Sequence, residues 1–128
     1  MVNNSISKYS ANHANRRNDA KLSILRINFT DETILKVWQK AEIDEYNVPN
    51  DYRKDECGAW IERMQYGNHD SAYGWEIDHI KPISDGGLDD LPNLRPLHWK
   101  NNGSKDNGHL ACRITSSGTT NVDRKLES

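Results

Sequence analysis

The sequence predicts a small α+β domain, on three observations. A capped amphipathic pattern beginning near residue 30 reads as a helix. Two segments, around residues 75 and 94, read as a strand and its return. A long loop punctuated by Gly86, Gly87 and Pro92 joins them. With 128 residues, 34% of them hydrophobic, the chain has room for one modest core.

The elements follow in order. Residues 1–20 are polar and rich in Asn and Ser, and read as a flexible basic arm. In "KLSILRINF" the alternation of Leu22, Ile24, Ile27 and Phe29 is imperfect, which leaves its state open. "FTDETILKVWQKAEIDEY" is a helix pattern: Thr30 suits the cap, Asp31 and Glu32 the first turn, and Ile34, Val37, Trp38 and Ala41 share a face. Pro49 and its Asn neighbours break it, and "GAWIERMQYGN" reads as a hairpin or short extended segment. Residues 21–70 thus form a helix and hairpin-like elaboration ahead of a second unit, residues 71–112. There Trp75, Ile77 and His79 alternate with Glu76 and Asp78, as in a strand. "LRPLHWKN" (94–101) is the return strand, with Pro96 restricted to an edge or a strand start. "NNGSKDNGHLACRI" is expected to form a short helix, weakened by Gly103 and Gly108. Residues 113–128 read as a flexible polar tail.

Charge and cysteine content bound the function. The net charge of −2 argues against a sequence-independent nucleic-acid coat. The first 30 residues carry five Lys/Arg against one Asp, while residues 31–70 carry five basic against ten acidic groups. No apolar run is long enough to cross a bilayer, and the N-terminus has no hydrophobic signal segment. Cys57 and Cys112 are too few for a disulfide framework. A cytoplasmic protein with reduced cysteines is the default expectation.

Asp78 and His79 are the chemically loaded pair. A carboxylate is a hard ligand for a divalent cation, and a neutral imidazole can take a proton from water. Neighbours on a regular strand point to opposite faces, so the strand must end near Ile80 if both are to serve one site. Pro82 and the double glycine supply such an ending. A third group would come from the return segment, where His98, Asn101 and Asn102 are available.

The ordered set "DH", Pro82, Gly86-Gly87, "DDLPNL" and "NNGSK" resembles the His-Asn-His (HNH) endonucleases, a branch of the ββα-metal nucleases, over roughly Tyr73 to Asp106. Asn102 lies nine positions after Asn93, the spacing at which the family places its last ligand. The resemblance implies a ββα-metal core and a metal-dependent endonuclease that hydrolyses DNA to 5′-phosphate and 3′-hydroxyl ends. It implies His79 as general base, Asp78 and Asn102 as metal ligands, and Asn93 as the brace of the loop that fixes His79. His98 is a further candidate ligand. Lys105, with Arg16 and Arg17 of the arm, is a candidate phosphate contact. The oxygen-rich donor set suits Mg²⁺ or Mn²⁺, whereas an added His98 would suit Zn²⁺ or Ni²⁺. No organic cofactor is implied. The expected partner is DNA, with a cognate inhibitor or a larger phage or restriction assembly as further candidates. The alternative is a nucleic-acid-binding module of the same fold with weak or no catalysis.

Simpler readings stand beside these. His98 reads better as a packed or solvent-facing side chain, and Asn102 also suits a helix cap. Asp85, Asp89 and Asp90 read as loop solvation. His13, His69 and His109 read as surface residues, and the tryptophans as core, with Trp60, Trp75 and Trp99 holding it in place of structural zinc. A zinc site from Cys57, His98, Cys112 and one more group is a minor alternative.

Overall fold

A computed structural model of the chain describes residues 29–45, 47, 49–106 and 108–126. The basic arm, with Arg16 and Arg17, and nearly all of the 21–29 segment lie outside the described residues. The chain divides into two units after Ile34. In the first, the Thr30 hydroxyl accepts a hydrogen bond from the Thr33 amide at 3.1 Å, the expected cap. Helix α1 spans Asp31–Trp38. It is shorter than the apolar pattern suggests. The chain turns at residues 39–41, and Arg53 donates to the Gln39 and Pro49 carbonyls at 2.9 and 2.7 Å. Glu42 then pairs with Lys54 in an isolated antiparallel bridge.

The second unit contains three two-stranded antiparallel hairpins among its described residues. Strands β1 (Tyr52–Lys54) and β2 (Trp60–Glu62) form the first, so the "GAWIERMQYGN" segment gives a strand and then a 3₁₀ turn at Arg63–Gln65. Strands β3 (Trp75–His79) and β4 (Leu94–His98) form the second, in a register that sets Asp78 opposite Arg95 and His79 opposite Leu94. Pro96 is tolerated because β4 pairs on one side only, with β3.

Helix α2 (Trp99–Gly103) begins directly after β4. The return strand therefore stops at His98, earlier than expected, and the helix starts before Asn101. His98 causes the switch: its Nδ1 accepts the Lys100 amide at 3.1 Å and caps the first turn.

The tail is a third hairpin, β5 (Ile114–Ser117) and β6 (Thr120–Asp123), which corrects the flexible-tail reading. Gly118 sits in its turn at φ 61°. Asn121 ties the hairpin to β2: its Oδ1 accepts the Trp60 amide at 2.7 Å and its Nδ2 donates to the Trp60 carbonyl at 2.9 Å. Cys57 and Cys112 are joined in a disulfide, which overturns both the reduced-cysteine expectation and the zinc alternative. The sequence hides the pairing because the contacts beside the two cysteines are hydrogen bonds between segments far apart in sequence. Asp55 accepts the Cys57 amide at 2.9 Å and the Asn101 side chain at 3.0 Å. Asn101 in turn brackets Ile114 through its carbonyl and amide at 2.9 and 2.7 Å.

The core packs Trp38 against Trp75, ring centroids 5.4 Å apart, with Ile61, Leu94 and Leu97 fully buried around them. Trp60 is buried as expected. Trp99 is only partly buried and stacks on the His69 ring at 4.8 Å, so it is not a core residue. No helix among the described residues is long and apolar enough to cross a membrane.

Candidate active site at the end of the second hairpin

β3 carries Glu76 and Asp78 on one face and Trp75 and Ile77 on the other. Asp78 is 4% exposed. A buried carboxylate needs charged or hydrogen-bonded partners, and Asp78 has two cations. Arg95, its cross-strand neighbour, donates from Nε to Oδ2 at 2.8 Å, and Lys105, just past α2, pairs with Oδ1. Arg95 also reaches Glu56 at 3.1 Å.

His79 ends the strand and is partly exposed; its Nε2 lies 2.6 Å from Asp89 Oδ1. Asp89 belongs to the loop between β3 and β4. Sequence reasoning assigned it to solvation; the signal available was its place in "DDLPN", beside the bracing Asn93.

Asn93 holds that loop. Its Oδ1 accepts the Lys81 amide at 2.8 Å, and its Nδ2 donates to the Lys81 and Leu88 carbonyls at 3.0 and 2.8 Å. Its own carbonyl accepts the Ile80 amide at 2.8 Å. One amide side chain thus clamps both arms of the loop directly beyond His79. The double glycine makes the bend possible. Gly86 adopts φ 90°, and a Cβ on Gly87 would lie 1.8 Å from the Lys81 carbonyl oxygen.

Asn102 lies on α2 and donates to Glu76 Oε1 at 3.2 Å, and Glu76 Oε2 meets His69 Nε2 at 3.0 Å. Asn102 and Lys105 therefore reach the two carboxylates of one β3 face, where Glu76 and Asp78 stand two residues apart. Among the described residues no group of three or more His, Cys, Asp and Glu side chains could hold a metal ion. The available donors are oxygens: the Asp78 carboxylate, the Asn102 amide and, beside them, Glu76.

His98 is elsewhere. It is 2% exposed, pairs with Trp75 in the strand register, and spends both ring nitrogens on the backbone: Nε2 lies 2.8 Å from the Ala72 carbonyl and Nδ1 caps α2. Burial pushes its pKa below the ordinary 6.5. Asn101, the other neighbour of the candidate ligand, is fully buried and structural. His69 is not an isolated surface residue, since it bridges Trp99 and Glu76. His13 lies outside the described residues, and His109 is exposed.

Residues 56–108 match the family described as HNH endonuclease, a span that runs from Glu56 through the whole β3–loop–β4–α2 segment. No curated protein and no solved structure matches the chain. The family match and the motif read from the residues fall on the same hairpin, loop and helix, and it is over the segment 56–108 that the chain resembles an HNH endonuclease.

Proposed function

We propose that the chain is a metal-dependent endonuclease that hydrolyses DNA phosphodiesters at a ββα-metal core made of β3, β4 and α2. The observation that supports the reading is the clamp of Asn93 on the loop directly beyond His79, a partly exposed imidazole that follows Asp78 at the end of β3.

The donors fit a hard, partly hydrated cation. Mg²⁺ and Mn²⁺ are commonly held by one or two carboxylates together with water and substrate phosphate. Asp78 and Asn102 would hold the ion, with Glu76 adjacent, and His98 would take no part because both its nitrogens are used. When bound, such an ion supplies Lewis-acid stabilisation of the charge that develops on the phosphate.

The protein's own residues do the rest. His79 accepts a proton from water. The resulting hydroxide oxygen bonds to phosphorus, the bond to the 3′-oxygen breaks, and that oxygen takes a proton from solvent. The products carry 5′-phosphate and 3′-hydroxyl ends. Asn93 holds the loop, and Asp89 orients the His79 ring through Nε2.

Nicking of supercoiled plasmid with Mg²⁺ or Mn²⁺ tests the reading. The intact chain is expected to nick, and His79→Ala to lose about 10²–10⁴-fold, the usual worth of a general base. Equal inertness of both proteins across several metals would favour the binding-module alternative.

A further inference from the structure

The two cations on Asp78 are held differently. Arg95 is fixed from two sides: it stands opposite Asp78 in the strand register, and its guanidinium also pairs with Glu56. Its side chain is 10% exposed. Lys105 comes from a separate segment, beyond the end of α2. Its ammonium pairs with Asp78 alone among the described residues, and its side chain is 18% exposed. Lysine is a hydrated point charge on a flexible stem, whereas arginine is a rigid fork. Of the two, Lys105 is the one that can leave.

The charges give a reason to leave. Glu56, Asp78, Arg95 and Lys105 are formally neutral together. A divalent cation on Asp78 adds two positive charges to a site that already holds two cations, and like charges in a partly buried site repel strongly. Both carboxylate oxygens are also engaged. Releasing Lys105 frees Oδ1 and removes one positive charge. The freed ammonium, three residues after Asn102 in sequence, is then available to an anion, and lysine is a good phosphate ligand.

We propose that Lys105 is an internal counter-ion that occupies the ligand oxygen of Asp78 until a divalent ion displaces it, and that the displaced ammonium then binds the DNA phosphate. This rests on the reading of Asp78 as a metal ligand. The consequence is a coupling: metal binding creates a phosphate contact, and phosphate stabilises the metal-bound arrangement by the same factor.

The test is calorimetric titration of the full chain with Mn²⁺ in the absence of DNA, for the wild type, Lys105→Met, Lys105→Gln and Asp78→Asn. Circular dichroism first establishes that each variant is folded; the two Lys105 variants guard against loss of either one. The Lys105 variants should bind Mn²⁺ more tightly by on the order of tenfold, the size of one partly buried ion pair. Asp78→Asn should bind it far more weakly than the wild type. In a His79→Ala background, which prevents cutting, Mn²⁺ should raise affinity for a short duplex, and Lys105→Met should remove most of that rise. Unchanged or weaker Mn²⁺ binding in the Lys105 variants, with binding still dependent on Asp78, overturns the counter-ion role alone. Mn²⁺ binding indifferent to Asp78→Asn, or undetectable in all four proteins, overturns the metal-site reading beneath it.

Discussion

Asp55 and Asp78 are both buried aspartates, 2% and 4% exposed, on adjoining hairpins, yet their surroundings differ in kind. Asp55 is ringed by fixed, neutral donors. Its Oδ1 accepts the Cys57 and Ala59 amides, each at 2.9 Å; its Oδ2 accepts the His98 amide and the Asn101 side chain at 2.9 and 3.0 Å. Each donor belongs to a strand, turn or helix that cannot move without unfolding part of the domain. Asp78 is instead neutralised by two charged side chains, one of them on a flexible stem. A carboxylate saturated by fixed neutral amide donors is a joint. One balanced by side-chain cations can exchange a partner, as a metal ligand must. The buried residue type is the same, and its donors decide the role.

The sharpest way to break this contrast is to remove one charge at each position while keeping the shape. Asp55→Asn places an amide donor against two of the four existing donors and should cost about 3 kcal/mol of stability, on the scale of buried groups left unsatisfied. Asp78→Asn leaves Arg95 paired with Glu56 and lets Lys105 reach solvent, so about 1 kcal/mol is expected. Urea denaturation measures both. Cleavage should show the reverse order: abolished by Asp78→Asn and retained by whatever fraction of Asp55→Asn remains folded. Equal stability losses would remove the distinction between joint and ligand.

The disulfide sharpens the picture of the joint. Cys57 follows two residues after Asp55, and the bridge closes a sequence separation of 55 residues. Cys57→Ser with Cys112→Ser should lower stability by about 2–4 kcal/mol in the loop-entropy account. The Asn101 and Asn121 brackets should still hold the hairpins in place, so plasmid nicking below the midpoint of unfolding should persist.

The smallest effect comes from His98. Its folded pKa is depressed by burial, so below the ordinary value of 6.5 the unfolded chain binds more protons than the folded one. The stabilisation is complete above that pH and is lost as pH falls toward the folded pKa. His98→Gln should flatten this part of the stability-against-pH curve, as followed by the midpoint of thermal unfolding.

The same contrast explains what could be read from the sequence. The Asp78–His79 pair, the double glycine, the bracing Asn93 and Asn102 occur in a fixed order over a short span, and local strand and turn chemistry puts all but Asn102, which lies on α2, on one hairpin. Cap chemistry likewise identified Thr30. Asp55 left no such trace, because its donors come from residues 57, 59, 98 and 101, and only the packed fold assembles them. Arg95 became the partner of Asp78 through a cross-strand register that depends on how a long loop folds. The disulfide was hidden for the same reason. The β5–β6 hairpin was missed on composition: its Ser and Thr residues suggested a tail, although Gly118 between β-branched runs is a hairpin signal. His98, a further candidate ligand that also suited a packed side chain, caps a helix because α2 begins where the strand was expected to continue.

The most direct measurement is an anomalous-difference map from crystals of the full chain soaked in Mn²⁺. A peak within about 2.2 Å of oxygens from both Asp78 and Asn102, with the Lys105 ammonium moved off Asp78, is the predicted result. A peak held by other residues, or Asp78 still bound by Arg95 and Lys105 at saturating Mn²⁺, would contradict it.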